Sequence, residues 1–236
     1  AVRPKNVRKE KPRVGSFVSA NIKKIKDLKP DLILTFSDVQ ANLTKQLILE
    51  GFNVICFNQQ SISEILSMIK YLGSLVGKVE DSLDLVNEIL QKINTIKKNT
   101  HRIKPKIYFE EWDEPYISAT RWVSEIIEIS GGVDIFAKKS RSQKALKRAV
   151  SSQDVINKNP DIIFASWCGK KVNFDKIKNR KGWSSINAVK TNSLFEIKSP
   201  IILQPGPAAL TDGLSQIHDL ILQWQKSQIC SNENFS

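Results

Sequence analysis

Residues 25–36 read IKDLKPDLILTF, and residues 155–167 read VINKNPDIIFASW. Each stretch is the end of a helical pattern, then Pro-Asp, then a continuous apolar run. Proline ends the helix because it lacks an N–H and its ring crowds the preceding turn. The apolar run is too short for a helix and does not alternate, so it reads as a strand buried on both faces. After the first copy come DVQANLTKQLILEG (38–51), a helical pattern closed by glycine, and NVICF (53–57), a second strand. That order is β-α-β, the unit of a parallel sheet. After the second copy comes GWSSINAVKTNSLFEI (182–197), again a connection and a strand. The same local design twice predicts an α/β protein of two Rossmann-like lobes with mostly parallel sheets.

Between the copies lies one long periodic segment. Ser61 and Glu64 have the spacing of a capping box. Apolar residues then recur at Ile62, Ile65, Ile69, Leu72, Val76, Val79, Leu83, Val86, Ile89, Leu90, Ile93 and Ile96. The three-four spacing predicts one helix over most of 62–98, with Gly73 and Gly77 permitting a bend. At 1.5 Å per residue, ~35 residues would span roughly 50 Å. The expected organisation is an N-terminal lobe over 1–60, a connecting backbone helix over 61–99 and a C-terminal lobe over 100–236. The second lobe opens with the strand KIYFEEW (106–112) and continues with RWVSEIIEISGG (121–132), a helix stopped by glycine. Its last helix starts near Pro207 and carries Leu210, Leu214, Ile217, Ile221 and Trp224 on one side.

The composition excludes several classes. At 41% hydrophobic and 25% charged, the 236 residues are not those of a disordered chain. No apolar run approaches the ~18 residues of a membrane span. The three cysteines are scattered and form no C-x-x-C, and there are only two histidines, so neither a disulfide framework nor a metal site is expected. No Ser-His-Asp, Cys-His or phosphate-loop motif is present, and Gly131-Gly132 reads as a helix stop. The chain is therefore expected to be no enzyme and to carry no cofactor. The net charge of +12 raises nucleic acid as a partner. The densest cluster, KKSRSQKALKR (138–148), holds six bases and no acid but no interleaved aromatic residue, so it reads as solvated surface. No nucleic-acid binding is expected.

Several segments together resemble the class III solute-binding proteins of ABC importers, in their cobalamin- and siderophore-binding branch. PRVGSFVSANIKKIKDLKPDLILTF (12–36) is similar to that family's lead into its L-K-P-D strand. EGFNVICFNQQSISEILSMIKYLGSLVGK (50–78) resembles its strand, loop and the first half of its backbone helix. YISATRWVSEIIEISGGVDIF (116–136) resembles its helix ending in G-G-x-x-I-F, and SSQDVINKNPDIIFASW (151–167) its second-lobe strand. The resemblance implies a monomer that captures cobalamin or a related corrinoid in an inter-lobe cleft and delivers it to an ABC permease. Ferric siderophores, haem and an intracellular corrinoid-handling role are the alternatives. It also implies an extracytoplasmic place, in the periplasm or anchored to the cell surface; no signal peptide is visible, which leaves a cytoplasmic one open. Against the family pattern, an opening strand and helix are expected to be missing from the first lobe. Ala41 and Leu203 stand near the positions where the cobalamin branch has acidic permease-docking residues.

Candidate ligand-binding residues follow from where strands end, because ligands of α/β sheets meet the chain beyond the carboxyl ends of strands. Trp112 and Trp167 end equivalent second-lobe strands. Phe17 and Phe36 match the aromatic positions of the cobalamin branch, Asn58 follows a first-lobe strand, and Tyr116 falls in the family's second-lobe binding loop. Arg121 and Trp122 open a helix whose free N–H groups suit an anionic ligand group. Gln204, before Pro205-Gly206-Pro207, is placed on the rim. Glu110, Glu111, Asp113 and Glu114 make YFEEWDEPYISATRW (108–122) unusually acidic. Adjacent residues of a strand face opposite sides, so Glu110 and Glu111 form no catalytic dyad; contacts with ligand amides or with Arg121 are expected instead.

Overall fold

The computed structural model describes residues 6–16, 19–99 and 103–233. The chain forms two compact units, Ala1–Gln59 and Gln60–Ser236. The first unit has helices α1 (Val7–Glu10) and α2 (Ile22–Leu28), strand β1 (Ile33–Phe36), helix α3 (Ala41–Leu49) and strand β2 (Val54–Phe57). β1 and β2 pair in parallel, with Phe36 opposite Phe57. α2 starts on Asn21, whose side chain accepts from the Lys24 N–H, and ends at Lys29 in the left-handed conformation, φ 45°. The expectation of burial on both faces fails for β1. Thr35 is buried under the Thr44 hydroxyl, but Leu34 is 48% exposed. In a two-stranded sheet one helix covers only one face.

The second unit begins with α4 (Ile62–Leu75) and α5 (Val79–Lys98). The capping box forms: the Glu64 N–H donates to Ser61 Oγ, and the Ser61 N–H donates to the Glu64 carboxylate. The single helix expected over 62–98 is instead two helices. Gly77 takes φ 67°, the Lys78 N–H donates to the Gly73 carbonyl at 2.7 Å, and the Gly77 N–H donates to the Ser74 carbonyl at 3.4 Å. That pair of bonds is a glycine helix stop of the Schellman type. Apolar spacing continues across it because both helices bury one face, so periodicity alone does not reveal the break.

Beyond α5 come β3 (Lys106–Asp113), β4 (Tyr116–Ser118), α6 (Arg121–Ile129), β5 (Val133–Asp134), α7 (Ala137–Ser140), α8 (Ser152–Lys158) and β6 (Ile162–Ala165). The chain continues through α9 (Phe174–Lys178), α10 (Asn187–Lys190), β7 (Leu194–Glu196), α11 (Ser199–Ile202) and α12 (Leu214–Glu233), the last preceded by a π turn at Ala209–Gly213. The sheet runs β4-β3-β6-β7, with β5 also on β3. β3, β5, β6 and β7 are parallel; β4 turns back antiparallel on β3. The central β6 is buried at every position, as its unbroken apolar run requires. Asn159, before Pro160-Asp161, repeats the left-handed turn of Lys29 at φ 43°. Asp161 then accepts from the Lys106 N–H at 2.9 Å and fixes β3 beside β6. Leu210, Leu214, Ile217 and Ile221 are fully buried on the last helical segment.

Candidate functional site

β3 and β6 bring Trp112, Tyr116 and Trp167 into one aromatic group with Tyr108 and Trp183. Tyr108 and Glu110 are two residues apart on one strand, so they share a face. Glu110 is fully buried, and four donor groups converge on it. The Arg180 guanidinium forks onto its two oxygens at 2.6 and 2.9 Å, the Trp167 indole donates at 3.0 Å and the Tyr108 phenol at 3.2 Å. Burial and the Glu110 charge push the Tyr108 phenol well above its ordinary value, so it remains a donor. Arg180 also lies 4.3 Å from the Tyr116 ring centre and 4.4 Å from that of Trp183. One ion pair therefore holds Tyr116 through its ring face and Trp167 through its N–H.

The other acids of the stretch are partnered as well. Glu111 points away from Glu110 and meets Arg148 at 2.5 Å. Asp113 is buried and receives Lys170 at 2.6 Å and Lys176 at 2.8 Å; Lys176 also reaches Glu114 at 2.7 Å. Burial pushes Asp113 up, but hydrogen bonds from the two lysines outweigh it and hold the carboxyl below its ordinary range. Lys170 lies over two rings, 4.2 Å from the centre of Trp112 and 5.0 Å from that of Trp167. Both lysines keep about two-fifths of their side-chain surface, so they can exchange these partners for ligand groups.

Phe36 and Asn58 lie in the first unit, at the carboxyl ends of β1 and β2. Phe36 is half-buried, its N–H bonded to the Gln40 side chain at 2.8 Å; Asn58 is exposed. Phe17 lies outside the described residues. Trp122 departs from expectation: it is 4% exposed, with its indole N–H bonded to the Ile202 carbonyl at 2.8 Å. Trp122 is a core residue, because the first turn of α6 faces inward at that position; Trp167, just past the fully buried β6 and 3% exposed, departs from expectation in the same way and packs in the core. Arg121 is paired with Glu125 at 2.9 Å on the same helix and with none of the four acids of the stretch. Gln204 is exposed, and its carbonyl accepts from the Gly206 N–H in the turn before α12.

Sequence reasoning does not reach Arg180, Arg148, Lys170 and Lys176. A signal for them exists: four carboxylates within five positions, beside a strand expected to be buried, require nearby cations. Lys170, just past the end of neighbouring β6, is the most accessible of them to such reasoning. Among the described residues no group of three or more His, Cys, Asp or Glu side chains is placed to hold a metal ion.

A family profile described as periplasmic binding protein matches residues 1–201. The chain belongs to the periplasmic binding protein family. It is similar to an uncharacterized ABC transporter substrate-binding lipoprotein, YvrC, of Bacillus subtilis, with 27% identity covering 92% of this chain and 69% of that protein. It is also similar to the vitamin B12-binding protein of Vibrio cholerae, with 26% identity covering 88% of this chain and 74% of that one. The crystal structure of Staphylococcus aureus IsdE complexed with heme superposes with a TM-score of 0.74 over 94% of this chain and 88% of that one, at 20% identity. This periplasmic binding protein is thus a substrate-binding component of the ABC transporter class, whose members bind solutes outside the cytoplasm and are not enzymes. A small-molecule ligand and a permease partner come with that membership. No helix among the described residues is long and apolar enough to cross a membrane.

Proposed function

We propose that the chain captures cobalamin or a related corrinoid and hands it to an ABC permease. The reading rests on one observation: Trp112 and Tyr116, both half-buried, flank the turn at the carboxyl end of β3, and the partly exposed ammonium of Lys170 lies over the Trp112 ring. Large flat ligands are held by aromatic faces with a few polar handles. A corrinoid fits this chemistry, with amide side groups for the lysines and a ring edge for the Trp112 indole. Its cobalt is ligated within the molecule, so no metal-binding side chain is needed. Among the described residues, the methionine Met68 and the histidine His218 are both buried. His218 has Nδ1 3.4 Å from the Ser130 carbonyl. Haem or a ferric siderophore is the second reading, favoured by Lys170 and Lys176, whose charges suit ligand carboxylates.

Titration with cobalamin, haemin and a ferric siderophore, followed by tryptophan quenching, tests the proposal. Corrinoid binding should weaken by ~1–3 kcal/mol in Trp112→Ala and in Tyr116→Ala, the scale of burying such a ring. Saturable binding of haemin or the siderophore with no response to cobalamin would transfer the protein to the second reading. Unchanged affinity in both variants would remove the aromatic group from the site.

A further inference from the structure

The ligand reading makes no use of the most basic part of the chain. Segment 138–148 carries six bases, and of these only Arg148 makes an ion pair among the described residues. Arg148 points inward, with 4% of its side chain exposed. It bonds the Ser118 carbonyl at 2.7 Å, its own carbonyl accepts from the Ser118 hydroxyl at 2.9 Å, and the Val150 N–H donates to the Tyr116 carbonyl at 2.9 Å. These bonds hold the 3₁₀ turn Ala145–Arg148 against β4, with α7 packed beside it. The consequence is at Leu146, which is 75% exposed. Lys144 and Lys147 flank it, both exposed, and Lys138, Lys139 and Arg141 are exposed nearby. Lys138 and Arg141 share a groove with Glu125 and Glu128, and Lys139 feels the charge of Asp154. Lys144 and Lys147 have no such neighbour among the described residues.

We propose that this turn is a contact surface for an anionic lipid bilayer. Unpaired ammonium groups around a rigidly presented apolar tip match a surface that is negative at the headgroups and apolar just beneath. An acidic protein partner would draw on arginine forks, but Arg148 is spent internally and Arg141 shares its groove with Glu125 and Glu128. Nucleic acid offers no apolar layer for Leu146, and the turn has no aromatic residue to stack on bases. A substrate-binding protein whose permease sits in a membrane has such a surface beside it.

Co-sedimentation of the whole chain with phosphatidylcholine vesicles, with and without phosphatidylglycerol, provides the test. The protein should partition onto the anionic vesicles only, and less at ~0.15 M salt than at low salt. Lys144→Glu/Lys147→Glu should lower partition about tenfold or more. Leu146→Ser should also lower it while leaving the salt dependence unchanged. Lys23→Glu/Lys24→Glu, the same charge change on exposed positions of α2, should leave most of the binding intact. Equal partition onto both vesicle types, wild-type partition in the 144/147 variant, or an equal loss in the 23/24 variant would overturn the proposal. So would unchanged binding by Leu146→Ser, or retention on duplex DNA with no partition onto anionic vesicles.

Discussion

Arg180 and Glu110 meet as a two-pronged ion pair with 6% and 0% of their side chains exposed. Burying two charges is costly, and the cost is offset here by good geometry and by two further donors on the carboxylate, Tyr108 and Trp167. The pair also supports Tyr116 of the candidate site and Trp167 of the core beneath it, so its loss should affect stability and ligand binding together.

Removing one partner leaves the other buried without its counter-charge. Arg180→Met or Glu110→Leu should each destabilise the protein by about 3–5 kcal/mol. The double variant should recover much of that loss. Urea unfolding checks both statements, and additive losses in the double variant would refute the account.

Asp113 makes stability depend on acid. Its carboxyl is held below the ordinary value of 3.8 by Lys170 and Lys176, against the upward push of burial. A depressed folded value means a stabilising contribution that is present above the unfolded value and lost as pH falls through the folded one. Lys170→Met/Lys176→Met should therefore be less stable than wild type at neutral pH, and the gap should narrow below about pH 4. Urea midpoints across this range decide it; a gap that widens in acid contradicts the sign.

Asp134 behaves in the opposite sense. Burial pushes its carboxyl up, opposed by the Ser124 side chain and by the Phe136 N–H at 2.9 Å. Its neighbours are Glu128, which adds to the rise, and Lys158, which opposes it. A raised folded value gives stability that is present below the unfolded value and lost as pH rises through the folded one. Asp134→Asn keeps an acceptor for Phe136 and removes the charge. It should be the more stable protein at neutral pH, with the difference vanishing in acid; a less stable variant at neutral pH would count against this.

The break between α4 and α5 depends on two glycines for different reasons. Gly77 sits at φ 67°, so Gly77→Ala should cost about 1–2 kcal/mol through backbone strain. At Gly73 an added methyl would run into the Ser82 side chain and come within 2.8 Å of the Lys78 carbonyl. Gly73→Ala should cost about 1–3 kcal/mol through overpacking. Thermal unfolding measures both, and Ser82→Gly should relieve Gly73→Ala only in part, because the carbonyl remains.

Much of this fold is legible in the chain. The two Pro-Asp segments identify β1 and β6, since proline, a helix end and an apolar run are local signals. The Ser61–Glu64 cap and the Gly131-Gly132 stop are equally local. The hairpin β3–β4 is not read, because Tyr116–Ser118 is only three residues long and follows a proline. The single-helix reading of 62–98 fails because a helix stop turns on the φ of one glycine, which apolar spacing does not encode. At the candidate site, Trp112 and Trp167 are proposed from their place at strand ends and Tyr116 from the loop it falls in; the structure brings the three together, with Trp167 in the core. Trp122 is misplaced because a helix start exposes some positions and buries others. Arg180 escapes altogether: it lies seventy residues from Glu110, and nothing near it in sequence marks it as the partner of a buried acid.

The boundary between the two units, after Gln59, divides the chromophores unevenly. All five tryptophans, at 112, 122, 167, 183 and 224, and all three tyrosines, at 71, 108 and 116, follow it. Intrinsic fluorescence is therefore a private signal of the second unit. An unfolding curve excited through tryptophan describes residues 60–236 and passes over the first unit in silence. A probe for that first unit is at hand in Cys56, an exposed free thiol on β2, once Cys168, also exposed and free, and Cys230 are replaced in the second unit. Paired with the tryptophans, it would allow the two units to be melted in one sample and timed separately.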